Sequence, residues 1–223
     1  MGRTLVVGDL HGCYDELLAL LEAARFGAED RLVCVGDLVA KGAKSREVLE
    51  LFMKDARLSS VLGNHDRAIL RHWRGKPVRL KPAQVKCLAE LHEGRERYAA
   101  FLGSLPLYRY LDTHVVVHAG LRPGVPLERQ KPKDLTELRT LGPDRTSRQG
   151  TPWYEVYDGD AVALFGHWPA AEPRRGPRAL GLDTGCVYGY RLTAYVVETG
   201  ELVSVPALRA YDPQSPTPRA TNC

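Results

Sequence analysis

Short apolar segments alternate with helical patterns over the first third of the chain. Residues 4–7, 32–35 and 59–62 are short runs rich in valine and leucine, too short for helices and typical of buried parallel strands. Between them, residues 14–25 carry leucines on one helical face, and Ser45 is the predicted N-cap of a second amphipathic helix. This alternation predicts a parallel sheet with right-handed crossovers.

From residue 107 onward the pattern changes to strands separated by Gly, Pro and Asp turns. We predict that these strands form the second sheet of a two-sheet core, and that Thr199-Gly200 joins the last two as a hairpin. Residues 75–105 are predicted to be helical, and 122–150 to form a surface segment with a helix near 135–141. The predicted strands span residues 107–111, 114–117, 161–165, 179–182, 192–197 and 202–206.

Composition limits the class of protein. The chain has 223 residues, 44% of them hydrophobic, which predicts a single domain over residues 1–206 and a disordered Pro-rich tail over 207–223. No apolar run is long enough for a membrane span or a signal peptide, which predicts a cytoplasmic protein with no membrane partner. Five cysteines without a CxxC pair favour free thiols over disulfides or structural zinc. A net charge of +4 is too small to predict a stable nucleic-acid complex, and the oligomeric state stays open.

Aspartate, asparagine and histidine recur where the predicted strands end. The carboxyl ends of parallel strands meet at one edge of a sheet, so we expect these side chains to converge there. Such ligands suit two divalent ions about 3.5–4 Å apart that activate water and neutralise phosphate oxygens. The neighbouring glycines are expected to adopt positive φ. The motifs are GDLHG at 8–12, GDLVAKG at 36–42, GNHD at 63–66, HAG at 118–120 and GHW at 166–168.

In this order the motifs resemble the phosphoprotein-phosphatase group of calcineurin-like metallophosphatases, over roughly residues 4–205. The resemblance implies an α/β fold, a four-layer α/β/β/α sandwich with two mixed sheets flanked by helices. It implies that Asp37 bridges two divalent ions, manganese first and cobalt, iron or zinc as alternatives, and that His65 donates a proton to the leaving oxygen. The implied metal ligands are Asp9, His11, Asp37, Asn64, His118 and His167.

The second motif departs from the GDxVDRG form of the protein phosphatases. Ala40 stands in place of the aspartate that orients the histidine matching His65, so the donor is expected to lack its usual carboxylate partner. Lys41 stands in place of an arginine. It is expected to act in catalysis with Asp37 and His65 by holding phosphate as a point charge, the alternative being a solvated turn lysine.

GDLVAKG followed by GNHD is similar to the symmetrical diadenosine tetraphosphatases and their diadenosine-tetraphosphatase-like relatives. The string GLDTGCVYGYRLTA at 181–194 is also similar to that subgroup, which implies that it closes one wall of the site. The alternative is a plain strand–turn–strand in which Asp183 caps the turn. The resemblance implies that attack of a metal-bridging hydroxide converts diadenosine tetraphosphate to two ADP.

An arginine is expected to complete the phosphate site. Arg139 is the candidate that fits the family pattern, next to phosphate contacts from Lys41 and Asn64. Arg145 and Arg148 are its competitors, and each arginine could instead be a solvated surface residue.

Basic and aromatic residues are further candidates for substrate contacts. The basic stretch 67–86 suits a polyanionic partner such as a dinucleoside polyphosphate, unless it is a solvated helix face. Four aromatic residues are candidates either for stacking on a nucleobase or for core packing, with Trp168 the first candidate for stacking. They are Trp73, Trp153, Tyr154 and Trp168.

Three other functions stay open on the same motifs. One is a serine/threonine protein phosphatase on the same core. Another is a hydrolase of polyphosphate or of capped RNA 5′ ends, since all these substrates present a similar phosphate. The third is a metal-free scaffold protein, against which every ligand position carries the expected residue type.

Overall fold

A computed structural model describes residues 2–213 of the chain. Two five-stranded sheets, both mixed, pack face to face, as the motif resemblance implied. Their spatial orders are β10-β9-β1-β2-β3 and β4-β5-β6-β8-β7. The strands are β1 (Thr4–Val7), β2 (Arg31–Cys34), β3 (Leu58–Ser60), β4 (Tyr108–Leu111), β5 (His114–Val117), β6 (Val162–Phe165), β7 (Arg174–Gly176), β8 (Ala179–Gly181), β9 (Arg191–Val196) and β10 (Leu202–Pro206).

Helices cover the outer faces of the two sheets unequally. The first five share the apolar core on the outer face of the first sheet, whereas the second sheet is covered by the short last helix and by loops. The helices are α1 (Tyr14–Ala23), α2 (Ser45–Lys54), α3 (Asn64–Trp73), α4 (Pro82–Glu90), α5 (Arg95–Ser104) and α6 (Pro132–Glu137).

Strand alternation divides the apolar residues among three cores. Leu5 and Leu32 face the helices, while Val6 and Val33, one position along, face the second sheet. On the far side of the second sheet, Trp153 is fully buried against neighbouring aromatic rings. The sandwich therefore has a buried apolar interior between its sheets, and the site lies at one edge of it.

The structure corrects several sequence predictions about the second half. The predicted hairpin is present, but β9 and β10 belong to the first sheet, because β9 pairs antiparallel with β1. Strand β7 was not predicted, since a short segment with two arginines has no apolar alternation. The predicted helix near 135–141 lies earlier, at Pro132–Glu137, where proline occupies the first turn.

Two predicted boundaries also differ from the structure. Ser45 is the first residue of α2 rather than its N-cap, and its Oγ accepts a hydrogen bond from Ala40 N at 3.3 Å. Residues 207–213 of the predicted disordered tail lie against the domain, where Tyr211 Oη donates to the buried Glu16 Oε1 at 2.8 Å. Residues 214–223 lie outside the described part.

Four of the cysteines fall within residues 2–213, and all four are buried free thiols. Cys13 and Cys186, far apart in sequence, meet beside Glu16 in the core under α1, with ligand-type atoms within 4.8 Å of one another. Among the residues that the structure describes, no helix is both long and apolar enough to cross a membrane.

Candidate metal centre

The six predicted ligands converge at one edge of the sandwich. Strands β1, β2 and β3 run parallel in the first sheet, and β5 and β6 run parallel in the second, so their carboxyl ends face the same cleft. Each ligand lies just after one of these strands. Asp9 and His11 follow β1, Asp37 follows β2, Asn64 follows β3, His118 follows β5 and His167 follows β6.

Asp37 lies at the centre of this group. Its Oδ2 is 3.5 Å from His11 Nε2 and also 3.5 Å from His118 Nε2. Its other oxygen, Oδ1, accepts a hydrogen bond from the backbone N of His65 at 2.8 Å. One carboxylate oxygen is thus shared between the two sides of the centre, as a bridging ligand requires.

Asn64 lies close to both ligand histidines of the second sheet. Its Oδ1 is 2.9 Å from His118 Nε2 and 2.9 Å from His167 Nδ1. On the other side, Asp9 Oδ2 is 3.9 Å from His11 Nε2, and the Asp9 carboxylate accepts from the backbone N of His167. The ligand atoms therefore form two adjacent sets that share Asp37.

Backbone carbonyls fix the protonation of two rings. His11 Nδ1 is 3.2 Å from Val39 O, and His118 Nδ1 is 2.9 Å from Val35 O. A carbonyl only accepts, so in the neutral rings each Nδ1 carries the proton and each Nε2 keeps its lone pair toward the centre. This is the tautomer that a metal-binding imidazole requires. His118 Nε2 then faces oxygen acceptors, Asn64 Oδ1 at 2.9 Å and Asp37 Oδ2 at 3.5 Å, and a cation among these atoms would remove that conflict.

Electrostatics also fits a cation. Burial, with Asp37 and Asp183 nearby, raises the pKa of the Asp9 carboxyl, and burial raises that of Asp37 to about 6. Burial lowers the pKa of His118 to about 4. Clustered carboxylates and neutral imidazoles in a desolvated place are stabilised by divalent cations, so the residues present suit two such ions.

Backbone strain is concentrated in the same loops. Seven non-glycine residues have positive φ within the described part, and five of them belong to these motifs. Their presence shows that surrounding structure holds the ligand loops in conformations that L-residues rarely adopt. The five are His11 (48°), Asp37 (52°), Ala40 (73°), Lys41 (69°) and His167 (68°).

The glycines do not all play the expected part. Gly63 and Gly166 lack positive φ; they are needed because ligand groups lie where a side chain would begin. A Cβ on Gly63 would lie 2.1 Å from Asp37 Oδ1, and one on Gly166 would lie 1.9 Å from Asp9 Oδ1. At these two positions, close approach rather than turn geometry requires glycine.

Lys41 lies in the centre rather than in solvent. Its Nζ is 2.7 Å from His11 Nε2 and 2.8 Å from Tyr188 Oη. Burial acts to lower the pKa of Lys41, but Tyr188 and Asp37 outweigh it and the net pKa is raised, so the ammonium stays charged. Tyr188, which the sequence prediction did not single out, belongs to the string 181–194.

Asp66 organises two of the loops. Its Oδ2 accepts from Gly63 N at 3.1 Å and caps α3, while its Oδ1 accepts from Val39 N at 3.2 Å. Burial raises the pKa of this carboxyl to about 7. The aspartate of GNHD thus joins the third motif to the second.

His65 has a partner that the sequence did not reveal. Gln84 Nε2, from the first turn of α4, lies 3.3 Å from His65 Nδ1. The His65 ring meets the His11 ring edge-on, with centroids 5.0 Å apart, and lines the cleft. A glutamine 19 residues from the motif carries no sequence signal for this contact.

Five of the six predicted ligands, all but the fully buried His118, line a cleft of about 450 Å³ with a cationic rim. Arg139 and Arg148 both line it, whereas Arg145 is ion-paired with the buried Asp134. Of the basic residues at 67–86, Lys81 alone is among the residues described as lining the cleft. The rim cations are Lys41, Lys81, Arg139 and Arg148.

Other predicted contacts are placed elsewhere. Trp153, Tyr154 and Trp168 pack in the core outside the second sheet, and Trp73 packs on the helical core, so none of the four lines the cleft. Asp183 lines the cleft and also caps its turn, because its Oδ1 accepts from Gly185 N at 3.1 Å.

Comparison with known proteins identifies the family of the chain. Residues 2–198 match the family model of calcineurin-like phosphoesterases. The chain belongs to this family. This calcineurin-like phosphoesterase is therefore a hydrolase, from a family that uses divalent metal ions.

The relatives of this phosphoesterase cover almost its whole length. It is 31% identical to the asymmetrical bis(5′-nucleosyl)-tetraphosphatase PrpE of Bacillus subtilis strain 168, over 93% of this chain and 96% of that protein. It is 30% identical to the symmetrical bis(5′-nucleosyl)-tetraphosphatase of Vibrio parahaemolyticus serotype O3:K6, over 92% and 99%. A solved structure described as a candidate diadenosine tetraphosphatase superposes with a TM-score of 0.77 at 34% identity, over 92% of this chain and 94% of that one.

Proposed function

We propose that the protein hydrolyses dinucleoside polyphosphates, with diadenosine tetraphosphate as the reference substrate. The observation that carries the proposal is the pairing of the Asp37-centred ligand set with four cations around one cleft. A single phosphoryl group needs few of these cations, whereas a chain of phosphates can use all of them. The names of the relatives support the same substrate class.

The proposed metal ligands are the six residues that converge on Asp37. When bound, two divalent ions would neutralise phosphate oxygens and activate a water for in-line attack. Manganese is the first ion to test and cobalt, iron and zinc follow, because carboxylate, amide and imidazole ligands accept all four. His11 Nε2 would then be engaged, which frees the Lys41 ammonium to face the substrate.

The remaining residues divide between binding and proton transfer. Lys41, Lys81 and Arg139 are proposed to bind the phosphate chain, and Asn64 to contact both metal and phosphate. Burial and the nearby Lys41 lower the pKa of Lys81, which an anion between the two ammonium groups would relieve. His65 is proposed to donate a proton to the leaving oxygen.

Product analysis tests the substrate class. Metal-loaded protein is incubated with diadenosine tetraphosphate or a phosphothreonine peptide, and the products are separated by chromatography. We expect nucleotide products with the peptide untouched; dephosphorylated peptide with intact dinucleotide would instead indicate a protein phosphatase. Polyphosphate and capped RNA serve as further substrates in the same assay.

The same assay identifies the bond that is cleaved. The sequence motifs predict symmetrical cleavage, with ADP as the sole nucleotide product. AMP with ATP would indicate the asymmetrical reaction named for the Bacillus subtilis relative. Protein without added metal is the matched control, because it keeps every side chain of the site.

A further inference from the structure

Three histidines at the centre differ in what their Nδ1 atoms meet. For His11 and His118 the partner is a backbone carbonyl, at 3.2 and 2.9 Å. For His65 the partner is the side-chain amide nitrogen of Gln84, at 3.3 Å. A carbonyl requires a proton on the ring nitrogen, whereas an amide N–H requires a lone pair there.

The orientation of the Gln84 amide is fixed by a second contact. Its Oε1 accepts a hydrogen bond from the backbone N of Lys81 at 2.8 Å, at the N-terminus of α4. Turning the amide over would set its N–H groups against the Lys81 N–H and leave that donor unpaired. Gln84 is 3% exposed, so water does not offer a replacement partner at low cost.

We propose that Gln84 is a positioning residue that holds His65 as the Nε2–H tautomer, and so makes it a hydrogen-bond donor to the leaving oxygen rather than a metal ligand. The donor role rests on the proposed phosphoester hydrolysis; the tautomer does not. With Nδ1 accepting from Gln84, the proton of the neutral ring lies on Nε2, which then has no lone pair for a metal.

This assignment distinguishes two roles for His65, metal ligand or hydrogen-bond donor. One ligand-type atom each of His11, Asp37 and His65 lies within 4.8 Å of the others, so proximity alone would include His65 in the metal set. The Gln84 contact excludes it. It also explains how the ring is oriented although Ala40 offers no carboxylate.

Nitrogen NMR of the histidine rings tests the tautomer directly. In ¹⁵N-histidine protein, with His65 assigned through His65→Asn, we expect an unprotonated Nδ1 and a protonated Nε2 on His65. His11 and His118 should show the opposite pattern. Addition of Zn²⁺, a diamagnetic probe, should shift the Nε2 signals of those two rings and leave His65 Nε2 protonated. A protonated Nδ1 on His65, or a metal-induced loss of its Nε2 proton, would overturn the proposal.

Two substitutions test whether Gln84 sets the His65 tautomer or only packs against the ring. Gln84→Glu keeps an oxygen for Lys81 N but removes the donor, so we expect His65 Nδ1 to gain a proton. Gln84→Met removes both contacts. Gln130→Met is the matched control, because Gln130 is also buried and hydrogen-bonded but serves a loop remote from His65. An unchanged His65 nitrogen pattern in Gln84→Glu would refute the role of Gln84.

Leaving-group dependence tests the donor role. The neutral His65 ring stabilises the leaving oxygen by a hydrogen bond from Nε2–H, and the more basic phenolate leaving group depends on this bond more than p-nitrophenolate does. Gln84→Met should lower kcat about tenfold on phenyl phosphate, only about twofold on p-nitrophenyl phosphate, and leave KM unchanged. Equal losses on both would refute donation. If the parent protein leaves diadenosine tetraphosphate intact, the proposed function fails while the NMR result still decides the tautomer.

Discussion

The two sheets contribute to the centre in different ways. The first sheet supplies carboxylates from strained loops: Asp37 has positive φ and is joined to its neighbours by backbone hydrogen bonds such as His11 N to Asp37 O, at 2.7 Å. The second sheet supplies two imidazoles: His118 directly after β5, and His167 two residues after the end of β6, where its φ is positive as well. The first side has five helices behind it, and the second has a thin layer centred on Trp153.

This difference predicts how substitutions near each sheet should affect activity and stability. On the first side the charge and the strain lie in the ligand loops, so a substitution there should alter chemistry more than folding. On the second side the ligands depend on packing behind the sheet, so a distant apolar substitution should affect both. A change at Asp37 should affect the ligand sets of both sheets, because its Oδ2 is shared between them.

The largest effect is expected for Asp37→Asn, which should weaken metal binding on both sides of the centre. The shared oxygen would lose its charge while the side-chain volume stays the same. We expect activity to fall by at least about 10³-fold and both ions to be lost, since each ion contributes several kcal/mol to the transition state. Metal content by elemental analysis and steady-state rates measure this. Retention of one ion per chain would argue against a bridging Asp37.

Trp153→Ala should destabilise the second sheet and its ligand loops by removing packing alone. Trp153 is fully buried, and its Nε1 lies 2.6 Å from where a Cβ on Gly120 would stand, so the ring packs against the HAG loop. We expect the free energy of unfolding to fall by about 3–5 kcal/mol. Urea unfolding measures the change, and Trp153→Phe is the conservative control. An unfolding free energy equal to that of the parent would contradict this role.

The cationic rim is expected to respond at the level of substrate binding. Arg139 lines the cleft with its Nε buried and unpartnered in the described structure, whereas Arg145 pairs with Asp134. Arg139→Lys should raise KM about tenfold with little change in stability, because a point charge replaces a bidentate fork. Arg145→Lys is the matched control. An equal rise in KM in that variant would argue against Arg139 as the arginine that binds phosphate.

The smallest expected effect is at the far end of the first sheet, where Asp30 ties β1 to β2. Hydrogen bonds from Arg3 and Gly27 hold the pKa of this carboxyl well below its usual range. A lowered folded pKa means that the stabilisation is present above the unfolded pKa and is lost as pH falls toward the folded one. Asp30→Asn should cost about 1 kcal/mol at neutral pH, because Arg3 is partly exposed, and this gap should shrink below about pH 4.

Urea unfolding of both proteins at pH 7 and at pH 3 measures this gap. The same gap at both values would show that the charge of Asp30 does not contribute. Activity at pH 7 should be equal in the two proteins, since Asp30 lies at the opposite end of β2 from the ligands.

The sequence by itself determined the fold class and the ligand types. Period-two and helical patterns located most elements within a residue or two, because local burial dictates them. The first three motifs follow parallel strands of one sheet, whose carboxyl ends share an edge, so the convergence of Asp9, Asp37 and Asn64 could be predicted without coordinates. Asp37 and His118 follow strands of different sheets, and their meeting was implied by the family resemblance alone.

Only the tertiary structure decided which groups meet across elements. The place of β9 and β10 in the first sheet depends on a long-range pairing that local patterns do not encode. The contact between Gln84 and His65 depends on how α4 lies over the third motif, and that packing is set by apolar residues elsewhere on the helix. Sequence patterns reveal what each segment buries, whereas a hydrogen bond between distant segments is fixed when all of them pack at once.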